Sequence, residues 1–153
     1  MMRYMKITEA LVAEHTIFLT VFDHIERVLP SLTTQTEIST MASIVEGLLE
    51  AHAKTETNMA YLALDHVLEQ NGELKRMHQD HHEIDARLRE VHKANTCAES
   101  RRLLKAVLAG CREHFQLEES NVFPLLERVL QEETLPELGQ TWLERPAARA
   151  QAA

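Results

Sequence analysis

The sequence predicts an all-α fold: an antiparallel up-down-up-down four-helix bundle with a short extra helix at its C-terminal end. Three observations predict it. Apolar residues recur at intervals of three and four almost throughout the 153 residues. Only four Gly and four Pro interrupt them. The apolar segments are long and the breaks between them short, and short connections force consecutive helices to run antiparallel. At 44% apolar residues, one domain of this length buries a continuous core without staples.

The first helix is expected from about Thr8 to Leu29, with Leu11, His15, Phe18, Phe22 and Ile25 on one face. Pro30 stops it, because proline cannot continue the hydrogen-bond ladder. Ser31 to Thr36 reads as a polar loop. A second helix is expected from about Glu37 to Glu69, with an inner stripe of Ile44, Leu48, His52, Glu56, Met59 and Ala63. Asn71-Gly72 ends it with a pair suited to left-handed backbone.

The third helix begins near Glu73 and turns Leu74, Met77, His81, Ile84, Leu88 and Val91 inward. Thr96-Cys97-Ala98-Glu99 fits a helix start in which Thr96 caps the next helix and Glu99 reaches back. The fourth helix carries Leu104, Val107, Cys111, His114, Glu118 and Val122 on one face. Pro124 bends or interrupts it, and Leu125 to Leu130 resumes the pattern. Residues 1–130 therefore form the bundle. Residues 131–153 form a short helix around Leu135 to Leu143, anchored by Trp142, and a frayed tail from Arg145 to Ala153.

The formal charge is −8 with no Lys/Arg cluster to offset it, which argues against nucleic acid or an anionic membrane as partner. No run approaches the ~18 apolar residues of a membrane helix. Met1 to Lys6 lack the apolar stretch of a signal peptide. Cys97 and Cys111 read as reduced thiols, which points to a cytoplasmic protein. Trp142 and the tail leave room for a homodimer.

Nine His is well above ordinary usage, and their placement carries the functional argument. His52-x-x-x-Glu56 is repeated 62 residues later as His114-x-x-x-Glu118. Glu14-His15-x-x-Phe18 is repeated 66 residues later as Asp80-His81-x-x-Ile84. Each half is thus a helical hairpin with one His on its first helix and a His/Glu pair on its second. Residues four apart on a helix lie one above the other, so each pair can aim an imidazole and a carboxylate at one point. Folded back to back, the halves bring four His and two Glu to one level of the core.

Burying two carboxylates together without compensation costs several kcal/mol or more. Cations between them turn that cost into binding energy. Imidazole with carboxylate suits iron, manganese or zinc better than calcium or magnesium, which favour all-oxygen shells. Two bridging carboxylates suit two metals roughly 3.5–4 Å apart. Each metal is expected to take two His and to share Glu56 and Glu118, leaving positions for an oxo or hydroxo bridge and a small ligand.

These residues resemble the hemerythrin-like, HHE cation-binding domain family. The resemblance is carried by Glu14-His15, by His52-Ala-Lys-Thr-Glu56, by Asp80-His81-His82-Glu83-Ile84 and by His114-Phe-Gln-Leu-Glu118-Glu119-Ser-Asn-Val-Phe-Pro124. It covers roughly Ile7 to Leu130, and its last stretch is the most specific. It implies a non-haem di-iron centre that binds O2 or a related small molecule such as NO or peroxide.

Two departures bear on the ligands. Blood-type relatives carry two His four apart on the third helix, and here the position four before His81 is Met77. His78 is one alternative for a further imidazole, and His78 with His82 forms another four-apart pair; His81 is favoured because it shares a stripe with Leu74, Ile84 and Leu88. The second helix has Thr57 and Leu62 where the family often has Glu and Pro. The metal-ligand set is therefore His15, His52, Glu56, His81, His114 and Glu118, with His78 as an additional candidate. His24, His66, His82 and His92 read as surface residues. Met59 and Met77 read as packing, Tyr61 as packing or as a residue lining the ligand pocket, and Glu119 as solvent-facing or a hydrogen-bond partner of a ligand.

Three functions are compatible with such a centre. The first is binding of O2, NO or peroxide for sensing, storage or response to oxidative or nitrosative stress. The second is a di-iron redox enzyme: a peroxidase, an NO reductase or an iron-cluster repair protein. Repair-type relatives often carry a Cys-containing N-terminal segment, and neither Cys lies there. The third is an iron-responsive interaction module. The Glu-x-x-His spacing of ferritin-like carboxylate enzymes is absent.

Overall fold

A computed structural model describes residues 4–65 and 72–144. Helix α1 spans Ile7–Val28 and passes into a single tight turn, Leu29–Ser31, at Pro30. Helix α2 spans Gln35–Glu56 and runs into a π-turn at Thr57–Tyr61. Helix α3 spans Glu73–Lys93, and α4 spans Cys97–Leu117, followed by a second π-turn at Glu118–Val122. Helices α5, Phe123–Val129, and α6, Thr134–Glu144, complete the described chain. It is all-helical among the described residues, as the periodicity predicts. None of these helices is long and apolar enough to cross a membrane.

Local chemistry sets the boundaries. Thr34 caps α2 by accepting from the Glu37 amide, and Glu37 reaches back to the Thr34 amide, so α2 begins two residues earlier than expected. Thr96 accepts from the Glu99 amide at 3.2 Å and opens α4. Gly72 has φ of 75°, the left-handed conformation a side chain would strain. Pro124 sits in the first turn of α5, where its missing N–H is not needed. His66, Glu69, Asn71 and the tail Arg145–Ala153 lie outside the described residues.

The antiparallel arrangement is tied at both ends. At one end Gln35, at the start of α2, donates to the Val91 and Ala94 carbonyls ending α3 and to Ser100 at the start of α4. Arg112 of α4 reaches Asp23 and Glu26 late in α1, while Thr8 at its start donates to Glu127 of α5. Helix α6 packs on α1, and its Gly139 lies so close to the Met5 carbonyl that a Cβ there would collide with it.

The inner stripe of α2 differs from the expected one. Ile38, Ala42, Val45 and Leu49 are buried, whereas Leu48 and Met59 are half-buried and Ile44 and Ala63 exposed. The helix offers two adjacent apolar rows, and the row three, seven and ten residues before His52 faces the core rather than the row four and eight before it.

The apolar interior is split in two. One cluster, around Phe18, Phe22, Val45, Leu88 and Leu104, fills the end that holds the α1–α2 and α3–α4 loops. The other, around Ile7, Leu11, Leu74, Met77 and Leu126, fills the opposite end. Between them lies a layer of buried polar side chains.

Candidate metal centre

That layer contains His15, His52, Glu56, His114 and Glu118, none more than 2% exposed. His81 completes it from α3 and is 17% exposed. One donor atom from each residue forms two groups: His15, His52, Glu56 and Glu118, and then Glu56, His81, His114 and Glu118. Within each group the donor atoms lie within 4.8 Å of one another. Both carboxylates belong to both groups.

The spacings are those of groups facing a common centre. His15 Nε2 and His52 Nε2 are 3.1 Å apart, and His81 Nε2 and His114 Nε2 are 2.9 Å apart. Donors on one ion at bond lengths near ~2.1 Å sit about 3 Å from each other. Glu118 spans the two pairs, with Oε2 at 3.4 Å from His15 Nε2 and Oε1 at 3.2 Å from His114 Nε2. Glu56 Oε2 lies 3.8 Å from His52 Nε2 and 3.5 Å from His81 Nε2.

Three of the imidazoles are aimed from behind by carboxylates. His52 Nδ1 contacts Glu14 at 2.9 Å, His114 Nδ1 contacts Asp80 at 3.2 Å, and His15 Nδ1 contacts Glu119 at 2.8 Å. A carboxylate on Nδ1 fixes the tautomer that leaves the Nε2 lone pair toward the centre. The first two contacts repeat the hairpin logic, because the acid preceding each hairpin's first His serves the His on its second helix. Glu14 and Asp80 were missed as functional residues in the sequence. Their signal was the 66-residue repeat that also links His15 and His81.

One π-turn begins just after Glu56 and the other at Glu118. A π-turn adds one residue to a helical turn, which brings Tyr61, five after Glu56, back to the face that carries Glu56. Its hydroxyl donates to Glu118 Oε1, so Tyr61 is more than packing. Its ring stacks on His81 at 5.7 Å and 17°. Phe123, 62 residues on, stacks on His15 at 5.7 Å and 22°.

The electrostatics suit a cation. Burial, reinforced by Glu118 beside it, raises the Glu56 carboxyl well above the usual carboxylate range. Burial lowers His52, and burial together with His114 pushes His81 down to about 3, which keeps both rings neutral with lone pairs available. Burial also lowers His114, but Glu118 and Asp80 outweigh it and leave the net shift upward. Both oxygens of Glu56 and Oε2 of Glu118 are buried without a hydrogen-bond partner. Orphaned carboxylate oxygens in a dry core are costly, and a cation at this point removes that cost. The donor set therefore fits a metal pair.

His78 belongs to neither group; it is half-buried and meets the Tyr61 ring edge-on at 5.5 Å. His24 and His82 are exposed, and His92 is engaged at the surface by Ser39 and Glu46. Met77 is fully buried in the second apolar cluster.

Fold and site together define a helical bundle built around paired His/Glu groups. The family model of the hemerythrin HHE cation-binding domain matches residues 6–126, and the chain belongs to that family. Searches of curated proteins and of solved structures returned no significant match.

Proposed function

We propose that the chain is a cytosolic non-haem di-iron protein that binds O2 or a related small molecule such as NO or peroxide. In this reading His15 and His52 would hold one iron and His81 and His114 the other, with Glu56 and Glu118 available to both. The observation that carries it is the sharing of both buried carboxylates by the two His pairs. Mixed nitrogen and oxygen donors suit iron, manganese or zinc, and the choice of iron is what the family resemblance implies. When bound, the iron pair would supply redox electrons to a small oxidant or a coordination site for a diatomic gas.

The rest of the work belongs to the chain. The two apolar clusters flank the centre on either side, and a surround of low polarity strengthens the electrostatic interactions within it. Glu14, Asp80 and Glu119 hold three imidazoles in one orientation, and Tyr61 holds Glu118 by its hydroxyl.

The test is optical. Iron-loaded, reduced protein exposed to O2 and then returned to anaerobic buffer should show a visible absorption change that reverses. Turnover of peroxide or NO beyond one equivalent would assign the centre to a redox enzyme instead. An oligomeric change on iron loading with no response to any of the three molecules would make it an interaction module.

A further inference from the structure

The internal repeat that builds the centre is not exact, and its departures fall on one side. His15 Nδ1 meets the Glu119 carboxylate at 2.8 Å. The residue 62 positions before Glu119 is Thr57, which follows Glu56 as Glu119 follows Glu118. Its side chain is shorter and carries no charge. Among the described residues no carboxylate meets His81 Nδ1; the polar contacts of this ring, to His114 and Glu56, both run through Nε2. The aromatic clamps differ in the same sense. Phe115 and Phe123 stack on His15 at 4.0 and 5.7 Å, and the ring has no exposed surface. Where one half has Phe115 the other has Ala53, so His81 keeps one stacked side chain, Tyr61, and remains 17% exposed.

We infer that the two metal positions differ in affinity: the His15–His52 position fills first, and Thr57 in place of an acid makes the His81–His114 position the exchangeable one. This rests on the two-metal reading above. A carboxylate on Nδ1 fixes the ring and raises the basicity of Nε2. The His15–His52 group has two such carboxylates, Glu119 and Glu14, and the His81–His114 group has Asp80 alone. A ring fixed beforehand loses less freedom on binding, and His15 is the more tightly held of the two unequal rings. Solvent reaches His81 and not His15, so a competing ligand meets that position first. The chain therefore passes through a state with one ion, at His15–His52, and can take up or release the second without losing the first.

The experiment titrates full-length, metal-free protein with ferrous iron under anaerobic conditions, in competition with a chromophoric ferrous chelator, to give two stepwise constants. Repulsion between two cations weakens the second step at any such site, so the readout is which step each variant moves. Thr57→Glu should tighten the second step by about tenfold or more and leave the first within about threefold. Glu119→Thr should weaken the first step by about tenfold. Asn58→Glu, which adds the same charge at the exposed neighbouring position, should leave both steps within about threefold. Wild type that saturates at one iron or binds none would overturn the two-metal reading itself. Two irons bound, with a second step that Thr57→Glu leaves unchanged, a first step that Glu119→Thr leaves unchanged, or equal tightening by Asn58→Glu, would overturn this inference alone.

Discussion

His52 Nδ1 and the Glu14 carboxylate are 2.9 Å apart, and the same relationship recurs between His114 and Asp80 at 3.2 Å. Each carboxylate sits one residue before the His that its own helix contributes. A single acid–His dipeptide thus serves the centre twice: its His faces inward, and its acid orients the imidazole of the neighbouring helix.

Glu14→Gln and Asp80→Asn should therefore leave the fold intact and weaken iron binding by roughly 10- to 100-fold, the usual cost of removing an orienting partner. Chelator competition followed by helical circular dichroism checks both parts. Unchanged iron affinity in both variants would mean that the contacts orient nothing of consequence.

Glu56→Gln separates function from stability. The carboxyl is fully buried, without a hydrogen-bond partner and raised well above its usual range by burial. A raised folded-state pKa means that the metal-free protein loses stability as pH rises above the unfolded value of 4.5. The amide removes that loss, so metal-free Glu56→Gln should be more stable than wild type at pH 8, by about 1–3 kcal/mol. It should also bind less iron. Urea unfolding of both metal-free proteins gives the answer, and a less stable variant would count against a carboxylate left uncompensated.

The two thiols should differ in reactivity. Burial pushes Cys111 up to about 12, so its thiolate is scarce at any pH below about 11. Cys97 is only half-buried. A thiol reagent at pH 8 should label one Cys per native chain and two per unfolded chain, with mass mapping placing the native label on Cys97.

Gly139→Ala should detach α6. The added Cβ would collide with the Met5 carbonyl, which is backbone and cannot step aside cheaply. A loss of about 1–3 kcal/mol is expected, with a change in Trp142 fluorescence because that ring packs on the cluster beneath α6. Iron content should hold, since no residue of α6 enters either donor group.

Much of this molecule is legible in its sequence, for physical reasons. Helical periodicity, Pro30, Thr96 and Gly72 mark the elements because each acts through local backbone chemistry. The two His-x-x-x-Glu pairs and the paired His15 and His81 are visible because duplication writes the same register twice, and those six side chains do converge. What escapes is what depends on tertiary contact. Thr57–Tyr61 reads as ordinary helix, so the π-turn that carries Tyr61 round to Glu118 leaves no local mark. The choice between the Ile44–Leu48 row and the Val45–Leu49 row is made by the neighbouring helices.

The central claim is that two metal ions share Glu56 and Glu118. Its most direct test is iron per chain, measured by elemental analysis of protein produced in iron-supplemented medium, beside Glu56→Ala and Glu118→Ala. The account expects about two irons in the wild type and a large loss in each variant. Unchanged iron content in both variants would contradict it.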